Sequence, residues 1–140
     1  MTANVKLIAA RTKSPSVRSA TRPTFYEFFA GGGMVRAGLG DEWKCAFAND
    51  IDEKKCASYR TNWGKHELVE ADIAKISVDD LPEEPADLAW ASFPCQDLSL
   101  AGQGAGLNGS RSSAFWPFMR LMKQLRDNDR APRIVTLENV

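Results

Sequence analysis

Apolar segments alternate with polar, helix-like segments along most of the chain. Five short apolar segments predict β-strands, at residues 25–29, 44–49, 67–70, 87–91 and 133–137. Between them, helical spacing of apolar side chains predicts helices at residues 35–39, at 53–62 and after residue 112. Strands that alternate with helices along a chain predict an α/β domain with a mainly parallel sheet.

The helix predicted after residue 112 has one apolar face. Its apolar side chains recur at helical spacing, at Phe115, Phe118, Met119, Met122 and Leu125. We interpret this stripe as core packing rather than as part of a cofactor site. Ser112 and Ser113 are suited to cap the helix, and Pro117 fits within its first turn.

The first predicted strand runs directly into a glycine turn at residues 30–34. A strand, a glycine turn and a helix in succession let the backbone approach a cofactor closely, although a plain tight turn would use the same residues. The second strand ends at Asp50, where an acid commonly holds a ribose, with Ile51 placed against an adenine. Capping of the next helix by Asp50 or Asp52 is the alternative, and both roles are compatible.

The fourth predicted strand leads to Pro94 and Cys95, followed by glycines at 102, 104, 106 and 109. A cysteine between a strand end and a glycine-rich loop is placed to act as a nucleophile, whereas a lone core cysteine is usually inert. Ligands bind beyond the carboxyl ends of parallel strands. The candidate residues all follow such ends, at Gly31 to Gly33, Asp50, Asp72, Cys95 and Glu138.

The charge and the cysteine content limit which classes of protein the chain can belong to. The 140 residues contain 18 basic and 18 acidic side chains, yet the charged side chains of residues 1–24 are all basic. We predict a flexible basic tail over residues 1–24, which either contacts nucleic acid or is simply solvated. Three cysteines without a paired spacing and one histidine predict free thiols in a reducing, cytoplasmic compartment and no metal site. No apolar run is long enough for a membrane helix.

Taken in order, these segments resemble the C5-cytosine methyltransferases of nucleic acids. The resemblance spans residues 25–140 and rests on residues 29–33, Asp50-Ile51-Asp52, Asp72-Ile73, residues 93–102 with Pro94-Cys95-Gln96-Asp97, residues 111–115 and Glu138-Asn139-Val140. It implies a Rossmann-like methyltransferase fold that uses S-adenosylmethionine. Glu27, Met34, Ser113 and Ala114 depart from the family's usual residues, as subfamily variation would.

The resemblance implies a covalent reaction at a cytosine flipped out of DNA. Cys95 is expected to add to C6 of the base, and Glu138 to hold or protonate the ring at N3. Asn139 is expected to orient Glu138. The loop after Cys95, with Gln96, Ser99 and Arg111, is expected to close on the substrate.

The same resemblance implies a set of cofactor contacts. Phe29, Ala30 and the backbone of Gly31, Gly32 and Gly33 are expected around the methionine part of S-adenosylmethionine. Asp50 is expected at the ribose, and Ile51, Asp72 and Ile73 at the adenine. Pro94 is expected to lie against the cofactor.

The family normally continues beyond Glu138-Asn139-Val140 with a Gln-x-Arg-x-Arg motif and a target-recognition domain. We therefore expect residues 25–140 to be the N-terminal part of a catalytic domain that needs its other half for turnover. The fifth strand is expected to be a sheet edge that pairs with a complementary C-terminal chain or with a second copy.

Three alternatives differ in function. A non-catalytic module that binds S-adenosylmethionine or a partner would keep the same motifs. A tRNA cytosine-5 methyltransferase shares the block around Cys95, although DNA is the commoner substrate. A nicotinamide-dependent dehydrogenase is disfavoured, because the glycine turn lacks the GxGxxG spacing.

Overall fold

The computed structural model of the chain describes residues 22–94 and 114–139. Within these residues it contains five strands, β1 (Thr24–Phe28), β2 (Lys44–Asp50), β3 (Leu68–Glu70), β4 (Leu88–Phe93) and β5 (Ile134–Asn139). The α-helices are α1 (Met34–Leu39), α2 (Glu53–Trp63) and α3 (Phe115–Asp127), and short 3-10 helices lie at Gly40–Glu42, Ile73–Lys75 and Val78–Asp80. Every predicted strand and helix is present, with its ends displaced by one or two residues.

All neighbouring strands pair in parallel, in the order β3-β2-β1-β4-β5. The prediction of an α/β fold with a mainly parallel sheet is confirmed. The order reverses between β1 and β4, because β2 and β3 follow on one side of β1 and β4 and β5 on the other. At such a reversal the connections leave in opposite directions, so a crevice opens at the carboxyl ends of the two central strands.

One face of the sheet packs against α3. Tyr26 and Phe28 of β1 point to this face and are fully buried with Phe118 of α3. The Phe118 ring lies 5.1 Å from that of Phe28 and 5.5 Å from that of Phe93, both centroid to centroid. The apolar stripe predicted for this helix is therefore core packing, although Met119 lies outside the buried face and is exposed.

The opposite face packs against α2. Cys56 and Tyr59 are the buried side chains of that helix, one turn apart. Tyr59 contacts Cys45 on β2, with its hydroxyl 3.5 Å from the Cys45 sulfur. Burial raises the pKa of the Cys45 thiol to about 11, so this cysteine stays protonated and unreactive near neutral pH.

One predicted boundary requires correction, and another depends on residues that the structure does not describe. Ala114 precedes α3 and has no side chain able to cap a helix, while the predicted caps Ser112 and Ser113 lie outside the described residues. The predicted tail over residues 1–24 reaches into the fold. Thr24 already belongs to β1, and Arg22 donates to the Asp41 carbonyl at 3.0 Å. Residues 1–21 lie outside the described part of the chain.

Within the described residues, β5 is one edge of the sheet and pairs with β4 alone. Its side chains alternate between the two faces, yet Ile134, Val135 and Leu137 are all exposed. Among the described residues, Ile134 is thus an exposed apolar side chain on one face of this strand, and Val135 and Leu137 are exposed on the other. None of the helices in residues 22–94 and 114–139 is long and apolar enough to cross a membrane.

Candidate active site

A pocket of about 850 Å³ opens at the carboxyl ends of β1, β2 and β4, where the strand order reverses. A pocket of this size accepts a ligand the size of a substituted nucleoside. The residues around it come from the glycine turn, α1, the first turn of α2, the ends of three strands and β5. They are Glu27, Phe29, Ala30, Gly31, Gly32, Met34, Val35, Gly38, Leu39, Asp50, Ile51, Asp52, Lys55, Trp90, Ser92, Phe93, Pro94 and Glu138.

The glycine turn between β1 and α1 is held from two sides by side chains. The Asp50 Oδ2 atom accepts from the Gly31 amide at 2.8 Å, and the Trp63 indole donates to the Gly32 carbonyl at 3.0 Å. Gly33 adopts φ +85°, and a Cβ atom there would lie 2.2 Å from the Trp63 Nε1 atom. Only glycine therefore allows the turn to lie against this indole.

Asp50 and Asp52 divide the roles that the sequence left open. Asp52 caps α2, since its Oδ1 atom accepts from the amides of Lys54 and Lys55. Asp50 is 5% exposed and accepts from Gly31 with one oxygen and from the Asp52 amide with the other. Each carboxylate oxygen has lone pairs left for a ligand, so the position stays compatible with a ribose.

Glu27 lies below the glycine turn and is 1% exposed. Its Oε1 atom accepts from the Val35 amide at 3.0 Å and so caps the first turn of α1, whereas its buried Oε2 atom has no hydrogen-bond partner among the described residues. Burial raises the pKa of this carboxyl from its ordinary value to about 7, against the opposing effect of the backbone donors and Arg36. The carboxyl therefore gains or loses its proton near neutral pH.

Glu138 lies at the other end of the pocket, on β5. Its Oε2 atom accepts two hydrogen bonds, from the Trp90 indole at 3.1 Å and from the Ser92 hydroxyl at 3.0 Å. Both donors belong to β4, and Ser92 is the direct register partner of Glu138. The predicted active-site carboxylate is thus held by two side chains that were not among the predicted site residues.

Most of the predicted cofactor residues meet in this pocket. Those that line it are Phe29, Ala30, Gly31, Gly32, Asp50, Ile51 and Pro94. Phe29 adopts φ +56°, unusual for a bulky side chain, and its ring stacks 4.7 Å from that of Phe93. Ile51 is 65% exposed at the mouth of the pocket, which leaves an apolar surface free for a flat ring.

Three predicted cofactor residues do not line the pocket. Gly33 faces Trp63 instead of the pocket. Ile73 is buried in the core beside α3, and Asp72 uses its Oδ1 atom to accept from the Ala74 amide. Because β3 is the far edge of the sheet, the residues that follow it lie away from the reversal point. Sequence spacing alone had placed all strand ends equally near the ligand.

Cys95, Gln96, Ser99 and Arg111 lie outside the described residues. Pro94, the last described residue before them, is in the pocket wall near the carboxyl end of β4. The backbone of Asn139 pairs with Phe93 in the sheet. Roles for these side chains stay predictions.

Four side chains around the pocket escaped the sequence-based predictions of site residues, namely Glu27, Trp63, Trp90 and Ser92. Glu27 could have been found from the sequence, because it is an acid inside a strand predicted to be buried. Buried acids usually have a partner, so such a residue indicates a specific contact. Trp90 and Ser92 carry a weaker one, since polar side chains two apart in an apolar strand point to the same face. Nothing in the sequence indicates the contact of Trp63 with the turn.

Comparison with known proteins agrees with this architecture. The family model of C-5 cytosine-specific DNA methylases matches residues 23–140. The chain is 34% identical over 118 residues to the type II methyltransferase M.BsuFI of Bacillus subtilis, covering 84% of this chain and 27% of that protein. It is 32% identical over 119 residues to M.HhaI of Haemophilus parahaemolyticus, covering 83% of this chain and 33% of that protein.

The fold also resembles a solved structure, the Dnmt2 methyltransferase of S. pombe. The two superpose with a TM-score of 0.63 at 22% identity, over 85% of this chain and 34% of the other. The chain thus spans about a third or less of the length of these relatives. With the family model matched over nearly all of its length, the chain belongs to the C-5 cytosine-specific DNA methylase family.

Proposed function

We propose that this chain binds S-adenosylmethionine and forms the reactive half of a site that methylates C5 of cytosine in DNA. One observation carries the proposal: the glycine turn with Asp50 and the strand end with Pro94 and Glu138 border the same pocket. A cofactor at one end and a base at the other would meet within it. Turnover is expected to need segments that the longer relatives possess.

The pocket fits the cofactor by shape and by its polar groups. The space above Gly31 is open, with no atom within 4 Å of a Cβ built there, so a ligand can approach the backbone. Asp50 offers carboxylate lone pairs for ribose hydroxyls, and Ile51 offers an exposed apolar surface for adenine. When bound, the cofactor supplies an electrophilic methyl group. Phe29 and Pro94 would confine it from the side of β4.

The residues of the chain would activate the base. The Cys95 thiolate forms a bond to C6, and the C5–C6 π electrons shift through C4 toward N3. Glu138 stabilises the charge that develops there by donating a proton to N3. C5 then has enamine character and would take the methyl group from the sulfonium sulfur of S-adenosylmethionine, whose S–CH3 bond breaks and leaves S-adenosylhomocysteine. Return of the N3 proton to Glu138, loss of the C5 proton to a solvent base and departure of Cys95 as a thiolate restore the aromatic ring.

DNA is the proposed substrate, because the matched relatives are named type II methyltransferases and the family is defined as DNA methylases. The likeness to Dnmt2 concerns the fold. The edge position of β5 among the described strands and its exposed Ile134, Val135 and Leu137 support a further proposal, that a complementary chain segment or a second copy covers this strand.

The test is covalent trapping on duplex DNA with 5-fluorocytosine in place of cytosine. The hydrogen at C5 normally leaves as a proton, but fluorine cannot leave as a cation. An adduct that has received the methyl group therefore persists in a denaturing gel. The chain would be assayed alone and joined to the C-terminal remainder of the Bacillus subtilis relative, with and without S-adenosylmethionine. We expect the joined form to give an adduct, and only when S-adenosylmethionine is present.

Cys95→Ser is the matched control, since it keeps the size of the side chain and removes the thiolate. An adduct in this variant would mean that another group attacks the base. If neither form of the chain gives an adduct while calorimetry still detects cofactor binding, the non-catalytic binding module is the correct function.

A further inference from the structure

We infer that Trp90 and Ser92 are positioning residues that fix Oε2 of Glu138 as an acceptor and leave Oε1 as the oxygen that exchanges a proton with N3 of the cytosine. The inference rests on the proposed function and adds to it the identity of the reacting oxygen and the two side chains that select it.

The strand register produces this arrangement. Ser92 pairs with Glu138, and Trp90 pairs with Thr136, two residues earlier on β5. Side chains two apart on a strand share a face, and neighbouring strands lie about 5 Å apart. The Ser92 hydroxyl therefore reaches Glu138 directly, at 3.0 Å, and the longer Trp90 indole reaches it along the diagonal, at 3.1 Å.

Both donors bind the same oxygen of Glu138. Trp90 and Ser92 each donate to Oε2, and no hydrogen bond to Oε1 is found among the described residues. The indole N–H can only donate, and a carbonyl or carboxylate oxygen accepts more strongly than the hydroxyl oxygen of a protonated carboxyl. Two donors on Oε2 consequently favour Oε1 as the position of a proton on the Glu138 carboxyl. Both side chains also line the pocket, which places this selection where the base would bind.

The balance of the proton at N3 then follows from one atom. When the Cys95 thiolate adds to C6, Oε1–H of Glu138 gives its proton to N3, and the carboxyl becomes a carboxylate. Its new negative charge is shared with Oε2, where the two donors stabilise it. When the ring recovers, the N3 proton returns to Oε1. The step needs no other proton carrier and no oxidant.

Trp90→Phe, Ser92→Ala and the double variant test the inference in the trapping assay. Phenylalanine keeps an aromatic ring and loses the N–H, and Ser92→Thr is the matched control that keeps the hydroxyl. Each donor stabilises the carboxylate formed in the reaction more than the neutral carboxyl present before it, so its loss should slow adduct formation at saturating DNA and cofactor by roughly three- to tenfold. The cofactor concentration for half-maximal rate should stay unchanged, and Ser92→Thr should restore the rate.

A double-mutant cycle distinguishes positioning from general structural support. In a Glu138→Gln background, Trp90→Phe and Ser92→Ala should slow the residual reaction much less than in the wild type, because they act through the carboxylate. Nitrogen-15 NMR adds a direct readout, since the Trp90 indole N–H signal should shift when Glu138 is replaced by alanine. The Trp90→Phe spectrum identifies that signal.

The outcomes separate the inference from the function on which it rests. No adduct from the wild-type chain in either form overturns both. An adduct that forms at the wild-type rate in the Trp90→Phe/Ser92→Ala variant overturns the inference alone, as do fully additive effects with Glu138→Gln. If Trp90→Phe does not fold, the comparison of Ser92→Ala with Ser92→Thr decides the result.

Discussion

Replacing Glu27 by glutamine should change the free energy of unfolding by an amount that depends on pH. As the pH rises, the stability of the variant should increase relative to that of the wild type. Glu27 is 1% exposed and its Oε2 atom has no partner among the described residues, so its charged form is poorly stabilised. Burial raises its pKa from 4.5 to about 7. The folded chain therefore holds this proton more tightly than the unfolded chain does.

The sign and size of the effect follow from proton linkage. The protonated form contributes its full stability below pH 4.5, and that contribution is lost as the pH rises through about 7. A pKa difference of about 2.5 corresponds to a loss of roughly 3 kcal/mol in the free energy of unfolding. Glutamine does not titrate, and its amide oxygen still accepts from the Val35 amide. The difference between variant and wild type should thus grow by up to roughly 3 kcal/mol.

Urea unfolding at a series of pH values from 4.5 to 8.5, followed by far-UV circular dichroism, measures this difference. Groups other than Glu27 titrate in both proteins and cancel in the comparison. Glu42→Gln, at an exposed site, is the matched control for the loss of one carboxylate. A difference between Glu27→Gln and wild type that stays constant over this range, or that falls with rising pH, would refute the reasoning.

Three further outcomes are expected. Asp50→Ala should weaken S-adenosylmethionine binding, and unchanged affinity by calorimetry would exclude a role for Asp50 at the ribose. Gly33→Ala should cost about 2–4 kcal/mol in urea unfolding, because φ is +85° and its Cβ would meet Trp63, whereas Gly31→Ala, with open space around it, should cost about 1 kcal/mol; equal costs would contradict the contact. Phe118→Ala should cost about 3–5 kcal/mol as a fully buried ring, and a loss under 1 kcal/mol would show that the core is misassigned.

The elements of this fold were predictable because each depends on local pattern. β1 and α3 show the apolar spacing of a buried strand and of a one-sided helix, so their existence needs no knowledge of the rest of the chain. Their boundaries were less certain, since β1 begins at Thr24, one residue before its predicted start and within the predicted tail.

The relative positions of the strand ends were not predictable in the same way. Asp50 and Asp72 both follow strands in the sequence and were predicted to contact different parts of the cofactor, the ribose and the adenine. In the sheet β2 adjoins β1 and β3 lies at the far edge, so Asp50 lines the pocket and Asp72 does not. That order results from long-range packing across the whole sheet, which a local pattern cannot encode.

The same limit explains why Glu138 was predicted and its two partners were not. Glu138 was recognised by a motif, which names a residue without its surroundings. Trp90 and Ser92 precede it by 48 and 46 positions, and they meet it only because β4 and β5 pair in one particular register. A slip of one residue would turn both donors to the opposite face of the sheet.

Asp50 holds the glycine turn and is also proposed to contact the cofactor. Its carboxylate accepts from the Gly31 amide and from the Asp52 amide, so it shapes the turn that the cofactor would contact. Loss of binding in Asp50→Ala would combine a lost ligand contact with a displaced turn. In Asp50→Asn the amide oxygen can still accept from Gly31, whereas the NH2 group cannot accept from the Asp52 amide and the negative charge is gone. Affinity retained in Asp50→Asn and lost in Asp50→Ala would show that the bond to Gly31, and not the charge, governs cofactor binding.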